Sequence, residues 1–438
     1  MLLLRGGCSL PQDYLAPTPP PPAIREAMAK AAERKEKGLP VYDFSSGNVG
    51  ALPLKLKLFR TMQIEAEEGV PEGLRLIAES VAKGLVECLY EKPSGFAYSP
   101  TGGTTPIKQS VLRYFREIHG LPLTDDDLDR ILVTAGGQQA MAVSLRALKP
   151  GTEVLMLRWD YSPIPGILKD HGLKETRVRL TEELALDVSD LESKLGQNQV
   201  FYLSMPNNPT GYTSVEDLET IARLMEEHNG GVIWDAPYLF TIIRLTENKA
   251  VFDRSFLNEI HEKFRNVGRR HYENMCILSS LSKTCLIAGL RVGMATASKQ
   301  WIANMNAILG RENLSSPTVS FTIAKHLLDA FLERPITHEW TCEVLASRLT
   351  VLMEEIGDHL ILPRNGVFGA LYALIKTPED GASFSRKLVE EKGIVTVPGN
   401  AFYGGPVNAV RLSLVATPWT EGDEVWVDSV RALKAALT

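Results

Sequence analysis

Two residues with the potential for chemistry follow short apolar runs in the middle of the chain. Asp235 comes directly after the run 232–234, and Lys283 follows the run 276–278 with Ser280 and Ser282 before it. A lysine amine can form a Schiff base with a carbonyl compound and can act as a general base once it is free. A lone aspartate at such a position is more often a helix cap or a salt-bridge partner, and a lone lysine among serines usually lies in a solvated loop. The chemistry therefore depends on whether the fold brings the two residues together.

Two turn-forming segments follow other apolar runs. The segment 136–138 reads Gly-Gly-Gln and comes after the run 131–133, and the segment 207–211 reads Asn-Asn-Pro-Thr-Gly and comes after the run 200–203. Asn, Pro and Gly are common turn formers, so each segment alone is compatible with an ordinary turn. A glycine pair at a helix start can also present backbone N–H groups to an anion.

The apolar runs alternate with helical patterns from about residue 130 onward. The runs are 131–133, 154–157, 200–203, 232–234, 276–278 and 292–295. Near-continuous apolar runs of this length suit strands that are buried on both faces. The helix after Ser214 begins with a capping pattern, because Asp217 lies three residues on. We therefore predict an α/β fold with a large domain on a mostly parallel sheet, whose ligands bind at the carboxyl ends of the strands.

The C-terminal part of the chain predicts a smaller α+β domain. Residues 320–356 have an amphipathic helical pattern, and the segments 369–374 and 409–414 have the pattern of strands. The N-terminal region holds a Pro-rich segment, 11–23, of polyproline character, which is either an arm lying on another surface or a disordered tail. The predicted division is 1–65 for the arm and part of the small domain, 66–320 for the large domain and 321–438 for the rest of the small domain.

The composition argues against several classes of protein. The chain has 47 basic and 53 acidic residues, a formal net charge of -6, which is not the basic excess of a nucleic-acid-binding protein. No apolar run approaches the roughly 20 residues that span a bilayer, so no membrane association is expected. The five cysteines are scattered and odd in number, which argues against a disulfide scaffold and favours a cytoplasmic location.

Taken together, the motifs resemble those of the class I/II aminotransferases, the fold-type-I pyridoxal-phosphate enzymes related to aspartate aminotransferase. The segment 280–284, Ser-Leu-Ser-Lys-Thr, with Gly-Leu-Arg-Val-Gly at 289–293, is similar to the cofactor-lysine signature of that family. Two further motifs are similar to family motifs: Pro-Asn-Asn-Pro-Thr-Gly at 206–211 and Asp-Ala-Pro-Tyr at 235–238. The resemblance runs in order from about Tyr98 to Arg411.

The resemblance implies an enzyme that moves an amino group between an L-amino acid and a 2-oxo acid in ping-pong half-reactions, with pyridoxal 5'-phosphate as cofactor. Lys283 would hold the cofactor as a Schiff base and would act as general base once the substrate has displaced it. Asp235 would pair with the pyridine nitrogen and keep it protonated. Tyr238 and Asn208 would hydrogen-bond the phenolic oxygen of the cofactor, and Asn208 would also contact the substrate.

The resemblance also implies roles for the other residues of the site. Tyr161 would stack on the cofactor ring, with core packing as its structural alternative. The expected phosphate ligands are Gly136, Gly137, Gln138, Ser280, Ser282, Arg291 and, from a neighbouring subunit, Tyr98. Arg411 would hold the substrate α-carboxylate in a bidentate fork, with a structural ion pair as its alternative. A Tyr98 that acts across subunits implies a homodimer with shared active sites.

Four features of the sequence leave alternatives open. Gly47 would present its backbone to the substrate, but the stretch 45–50 lacks the proline that is frequent in this loop of the family. The segment 246–274 is either a surface insertion or a border of the substrate entrance. Arg311 is a candidate for binding a second substrate carboxylate, and a small or apolar substrate side chain is equally compatible with the sequence. Cys285 is either a thiol nucleophile or a bland small residue near the site.

Two alternative functions belong to other classes. A pyridoxal-phosphate-dependent lyase or decarboxylase could use the same scaffold, because fold alone does not determine the reaction. A non-enzymatic regulatory protein of the same superfamily would carry an added DNA-binding domain. The first 60 or so residues are too few and too rich in proline for such a domain, and both Lys283 and Asp235 are present.

Overall fold

The computed structural model describes residues 23–49, 52, 72–92, 94–334 and 337–437. Its strands, in chain order, are β1 (Tyr42–Asp43), β2 (Ile131–Thr134), β3 (Glu153–Leu157), β4 (Lys174–Val178), β5 (Val200–Ser204), β6 (Gly231–Asp235), β7 (Ile243–Leu245), β8 (Ala250–Val251), β9 (Met275–Ser280), β10 (Gly293–Thr296), β11 (Leu360–Ile361), β12 (Val367–Phe368), β13 (Tyr372–Lys376), β14 (Ile394–Val395), β15 (Val397–Pro398) and β16 (Ala409–Ser413). Its α-helices are α1 (Ala23–Glu36), α2 (Glu72–Val86), α3 (Thr105–Ile118), α4 (Gly137–Arg146), α5 (Ile164–Asp170), α6 (Val188–Glu192), α7 (Val215–Glu227), α8 (Arg254–His271), α9 (Leu281–Thr284), α10 (Lys299–Asn313), α11 (Thr318–Glu333), α12 (Thr337–Ile356), α13 (Gly381–Lys387), α14 (Asn400–Tyr403) and α15 (Glu424–Leu437).

The main sheet has seven strands in the order β2-β10-β9-β6-β5-β3-β4. Strand β10 is antiparallel to both of its neighbours, and the other pairings are parallel. The prediction of a mostly parallel α/β sheet is therefore confirmed. Strands β2, β5, β9 and β10 are buried along their whole length, as near-continuous apolar runs predict.

Strand β4 was absent from the strands that the sequence predicts. It lies at the edge of the sheet and pairs only with β3. Its sequence is Lys-Glu-Thr-Arg-Val, and of its five side chains only Val178 is buried. An edge strand with one solvated side needs little apolar surface, so the apolar-run pattern does not reveal it.

Helix α7 begins where the capping pattern predicts. The Ser214 side chain accepts a hydrogen bond from the Asp217 backbone N–H at 3.1 Å, which satisfies one of the free donors at the helix start. The apolar face of α7 is buried; its members are Leu218, Ile221, Ala222 and Met225.

The segment 246–274 is neither a surface insertion nor a border of the cavity described below. Most of it forms α8, whose apolar face is buried in the core at Leu257, Ile260 and Phe264, among others. The charged residues at its end face α7, because Arg270 and His271 both contact Glu219. The extra length is thus a packed, amphipathic helix with one solvated side.

The C-terminal part builds a second, antiparallel sheet in the order β11-β13-β16-β15. The helical pattern over 320–356 corresponds to two helices, α11 and α12, rather than one. The predicted strand 369–374 begins later, at Tyr372, because Ala370 has a φ of 61°, which is incompatible with an extended strand. Strand β1 pairs with β14, so the N-terminal chain reaches the C-terminal part. The boundaries 1–65, 66–320 and 321–438 stay a prediction, and the segment 11–22 lies outside the described residues.

Candidate active site

A cavity of about 170 Å³ lies where the predicted residues converge, at the carboxyl ends of the main strands. Strand β6 ends at Asp235, and β9 leads through Ser280 into the short helix that carries Lys283. The residues that line the cavity are Gly137, Gln138, Met141, Tyr161, Ser204, Asn208, Asp235, Pro237, Tyr238, Ser280, Ser282, Lys283, Ala288 and Arg291. Parallel strands place their carboxyl ends along one edge, which brings the residues that follow β5, β6 and β9 together.

Lys283 points from α9 toward the N-terminal chain. Its amine donates a hydrogen bond to the Gly47 carbonyl oxygen at 2.5 Å. Burial lowers the pKa of the Lys283 amine, and the guanidinium groups of Arg411 and Arg291 act in the same direction, while Tyr372 opposes them. A lowered pKa favours the neutral amine, which is the form that attacks a carbonyl or accepts a proton.

Asp235 lies on the cavity wall and accepts a side-chain hydrogen bond from a neighbouring strand. The Tyr202 hydroxyl on β5 donates a hydrogen bond to its Oδ2 at 2.9 Å. Burial raises the pKa of Asp235 to about 6, and the Tyr202 hydrogen bond partly offsets this increase. A buried carboxylate such as that of Asp235 is stabilised by a nearby cation, because the opposite charge offsets the free-energy cost of burial.

The N-terminus of α4 forms the anion-binding end of the cavity. Gly136 precedes the helix with a φ of 92°, a conformation that favours glycine. Its lack of a side chain also leaves room for the Arg291 guanidinium, because a β-carbon at this position would overlap with that group. The Ser280 hydroxyl lies 3.0 Å from the Ser282 hydroxyl. Backbone N–H groups at a helix start, two hydroxyls and a guanidinium are a donor set that suits a phosphate.

Arg411 is buried behind Asn208 rather than on the cavity wall. Its Nη1 donates to Asn208 Oδ1 at 3.0 Å and its Nη2 donates to the Ser45 carbonyl at 2.8 Å. Its Nε has no hydrogen-bond partner among the described residues. Neither of these contacts is with an acidic residue. In the described part of the chain, Arg411 therefore does not form the structural ion pair that was the alternative to a substrate-binding role.

Tyr161 and Tyr98 occupy different places relative to the cavity. Tyr161 lines it, and its hydroxyl donates to the Gln138 side chain at 3.0 Å. Tyr98 has 87% of its surface exposed and does not line the cavity of its own chain.

Arg311 and Cys285 lie away from the cavity. Arg311 is exposed in the last turn of α10 and does not line the cavity. It therefore cannot bind a second substrate carboxylate in the cavity of its own chain. Cys285 is buried, and burial raises the pKa of its thiol to about 12, which leaves the thiol protonated and unreactive at neutral pH. These observations therefore favour the interpretation of Cys285 as a small, unreactive residue near the site.

The sequence prediction missed the cavity-lining residues Met141, Ser204 and Ala288, and also Tyr202 and Tyr372, which contact predicted site residues. Tyr202 lies inside a buried strand, and Tyr372 begins a strand of the second sheet. The one available signal for Tyr202 is that a buried tyrosine hydroxyl usually needs a hydrogen-bond partner. No pattern near Tyr372 connects it with Lys283 or Arg411, since that contact depends on the packing of the two sheets.

No group of His, Cys, Asp and Glu in the described residues could hold a metal ion. Among those same residues, no helix is long and apolar enough to cross a membrane.

The seven-stranded sheet, with a lysine and a carboxylate at its carboxyl edge, defines an α/β enzyme of the fold-type-I class. The family model for aminotransferase class I and II matches residues 64–430, and the chain belongs to that family. The protein is thus a transferase of amino groups, and the family membership does not favour the lyase, the decarboxylase or the regulatory protein.

The chain is similar to named relatives over most of its length. It is 23% identical to an aspartate aminotransferase of Pyrococcus horikoshii, over 78% of this chain and 83% of the relative. It is 25% identical to the aromatic-amino-acid aminotransferase 2 of Thermococcus litoralis, over 90% of this chain and 94% of the relative. The solved structure of the aspartate aminotransferase from Thermus thermophilus with maleate matches with a TM-score of 0.76 at 22% identity, over 95% of this chain and 97% of that one. The predicted fold class is therefore confirmed.

Proposed function

We propose that the cavity binds pyridoxal 5'-phosphate through Lys283, and that the protein moves an amino group between an L-amino acid and a 2-oxo acid. One observation carries this proposal: the Lys283 amine, the Asp235 carboxyl group and the N-terminus of α4 all face a single cavity of about 170 Å³. The family implies the same cofactor.

The chemistry of the donor set fits the three reactive ends of this cofactor. The amine of Lys283 suits its aldehyde, the carboxylate of Asp235 suits its pyridine nitrogen, and the α4 N-terminus with Ser280 and Arg291 suits its phosphate. When bound, the cofactor supplies a ring that withdraws electrons from an attached amino group. Tyr161 packs on the cavity wall as the candidate stacking residue, and Tyr238 and Asn208 offer side-chain hydrogen bonds.

Lys283, Gly47 and Arg411 are proposed to handle the substrate. The neutral Lys283 amine takes the proton from the substrate Cα, and the Gly47 carbonyl gives that amine a fixed acceptor at 2.5 Å. Arg411 holds the α-carboxylate with a buried guanidinium whose Nε has no hydrogen-bond partner among the described residues. Orienting the substrate by its carboxylate aligns the Cα–H bond for removal.

We further propose a homodimer in which Tyr98 completes the partner's site. Large exposed apolar side chains support this proposal: Tyr90, Phe96 and Tyr98 are each at least 80% exposed, and Leu314 is 67% exposed. The segments 99–101 and 314–316 are joined by hydrogen bonds, so Tyr98 and Leu314 belong to one region of the surface. An apolar patch of this kind is typical of a protein interface.

We also propose a cytoplasmic location and a division into a large cofactor-binding domain, 66–320, and a small domain from 1–65 and 321–438. The location is supported by the four cysteines of the described residues, which are unpaired. The division is supported by the seven-stranded sheet, whose strands lie within 131–296, by the four-stranded sheet, whose strands lie within 360–413, and by the pairing of β1 with β14.

A panel of amino acids tests the reaction. The purified protein, loaded with pyridoxal 5'-phosphate, is mixed with each amino acid, and 2-oxo acid formation is followed with and without a 2-oxo acid acceptor. The panel includes aspartate and aromatic amino acids, because relatives carry both names. We expect turnover only when an acceptor is present; sustained turnover without one would identify a lyase or a decarboxylase instead.

Borohydride reduction tests the attachment to Lys283. Reduction should fix the cofactor to the protein, and peptide mass mapping should find it on Lys283. An adduct on Lys108, Lys174 or any other lysine in place of Lys283 would refute the assignment.

A further inference from the structure

Tyr372 stacks on the guanidinium group of Arg411. It opens β13, is buried, and its ring centroid lies 4.0 Å from Arg411 Cζ. Strand register explains the contact: Leu374 is opposite Arg411 and Tyr372 is two residues before Leu374, so both side chains project from the same face of the second sheet. A guanidinium over an aromatic ring at this distance is a stabilising and orienting contact.

The hydroxyl group of Tyr372 reaches the residues around Lys283. It lies 3.4 Å from the Tyr238 hydroxyl, and the two rings are nearly perpendicular, at 83°. A β-carbon at Gly47 would overlap with the Tyr372 hydroxyl, so this glycine leaves the space that the hydroxyl fills. The Gly47 carbonyl is also the acceptor for the Lys283 amine. The hydroxyl therefore stands where Gly47, Tyr238 and Lys283 meet.

We propose that Tyr372 is a further positioning residue of the active site, with separate tasks for its two parts. The ring holds the Arg411 guanidinium in the plane that receives the substrate carboxylate. The hydroxyl orients Tyr238 and stabilises the protonated nitrogen of Lys283. Gly47 is then required not only for its backbone but because any larger residue would displace Tyr372. This inference rests on the proposed function of the same cavity.

The charges around Tyr372 and Lys283 support the proposed role of the Tyr372 hydroxyl. The pKa of Tyr372 is lowered: burial alone would raise it, but the nearby Lys283 and Arg411 cations outweigh that effect. In return, Tyr372 opposes the burial that lowers the pKa of Lys283. The other ionisable groups that influence Tyr372 and Lys283 or their neighbours are Tyr238, Tyr161, Arg291 and Arg411, and Asp235 raises the pKa of both Tyr161 and Tyr238.

The hydroxyl is tested with Tyr372→Phe in the cofactor-loaded enzyme. The readout is the pH midpoint of the cofactor's visible absorption, which reports the proton on the Lys283 nitrogen. We expect the midpoint to fall by about half a pH unit or more, because the protonated nitrogen loses a stabilising neighbour. The matched control is Tyr272→Phe, which removes a buried hydroxyl bonded to Thr296 at the opposite end of the sheet and should leave the midpoint unchanged. An unchanged or higher pH midpoint in Tyr372→Phe would contradict the proposed role of the hydroxyl.

The ring is tested by the preference for amino acids over the matching amines that lack a carboxylate. Tyr372→Leu should reduce this preference by about tenfold or more, whereas Tyr372→Phe keeps the ring and should stay within about threefold of wild type. If Tyr372→Leu does not fold, Gly47→Ala is measured instead, because it displaces the phenol from the other side and should also reduce the preference. Full preference in the folded variant overturns the task of the ring.

Failure of this inference differs from failure of the proposed function. If the wild-type enzyme lacks both the Lys283 adduct and transamination, the proposed function itself is wrong. If the wild type has both, and the Tyr372 variants keep its pH midpoint and its preference, only the assignment of Tyr372 is wrong.

Discussion

Asp235 is the residue whose protonation should link the stability of the protein to pH. Its pKa in the fold is about 6, raised by burial from an ordinary value of 3.8. Between these two values the folded protein keeps a proton that the unfolded chain has already lost. The free energy of unfolding therefore falls as pH rises through this window. At higher pH the carboxylate is ionised in both states, and a cationic cofactor nitrogen would offset its burial.

Thermal unfolding of the cofactor-free protein between pH 4 and pH 7 measures this effect. We expect Asp235→Asn to remove part of the decrease in Tm with rising pH. Tyr202→Phe should extend that decrease to higher pH, because the hydrogen bond that lowers the pKa of Asp235 is lost. If all three proteins show the same dependence on pH, Asp235 does not titrate in this window.

Arg411 should impose the requirement for a substrate α-carboxylate. Arg411→Lys keeps the positive charge but loses the planar pair of donors that contact Asn208 and Ser45. We therefore expect kcat/KM for amino acids to fall by roughly 100-fold or more in Arg411→Lys, with a smaller change for the matching amines. Equal losses for both substrates would show that the carboxylate is held elsewhere and that Arg411 is structural.

Among the elements, β10 supports the anion-binding turn without contributing a ligand to it. Its first residue, Gly293, lies between Thr134 of β2 and Ser280 of β9. A β-carbon at Gly293 would be 2.6 Å from the Gly137 backbone nitrogen, one of the donors proposed for the phosphate. Since backbone atoms cannot rotate away as a flexible side chain can, the turn itself would have to move.

We expect Gly293→Ala to weaken cofactor binding by about tenfold or more, because overpacking a tight contact costs a free energy of that order. Equilibrium titration followed by absorbance measures the affinity. The control is Gly166→Ala in α5, where the added carbon meets open space and the affinity should not change. Wild-type affinity in a folded Gly293→Ala protein would contradict the role of β10.

For the whole molecule, the proposed role of the exposed Tyr98 would make the active site dependent on a second copy of the chain. Tyr98→Phe and Lys283→Ala subunits should each form impaired homodimers. In the mixed dimer one site carries both defects and the other carries neither, because Tyr98 and Lys283 of a site come from different chains. Mixing should therefore restore activity. An active monomer in light scattering, or no recovery after confirmed subunit exchange, would exclude the shared site.

Patterns in the sequence alone predict the α/β class and most of the cavity wall. Strands buried on both faces must be apolar throughout, so polar residues directly after them are conspicuous, and parallel strands bring those residues to one edge. Lys283, Asp235, Asn208 and the glycine turn at 136–138 were found in this way.

The contacts between distant parts of the chain follow from the packing of the folded protein and not from a local sequence pattern. The edge strand β4 and the helix α8 carry charged residues that conceal their places in the fold. The contact of Tyr372 with Gly47 and Arg411 joins three segments of the sequence, and Arg411 bonds Ser45 across 366 positions. Such contacts depend on strand register and on how two sheets pack, and a local pattern of residue types specifies neither.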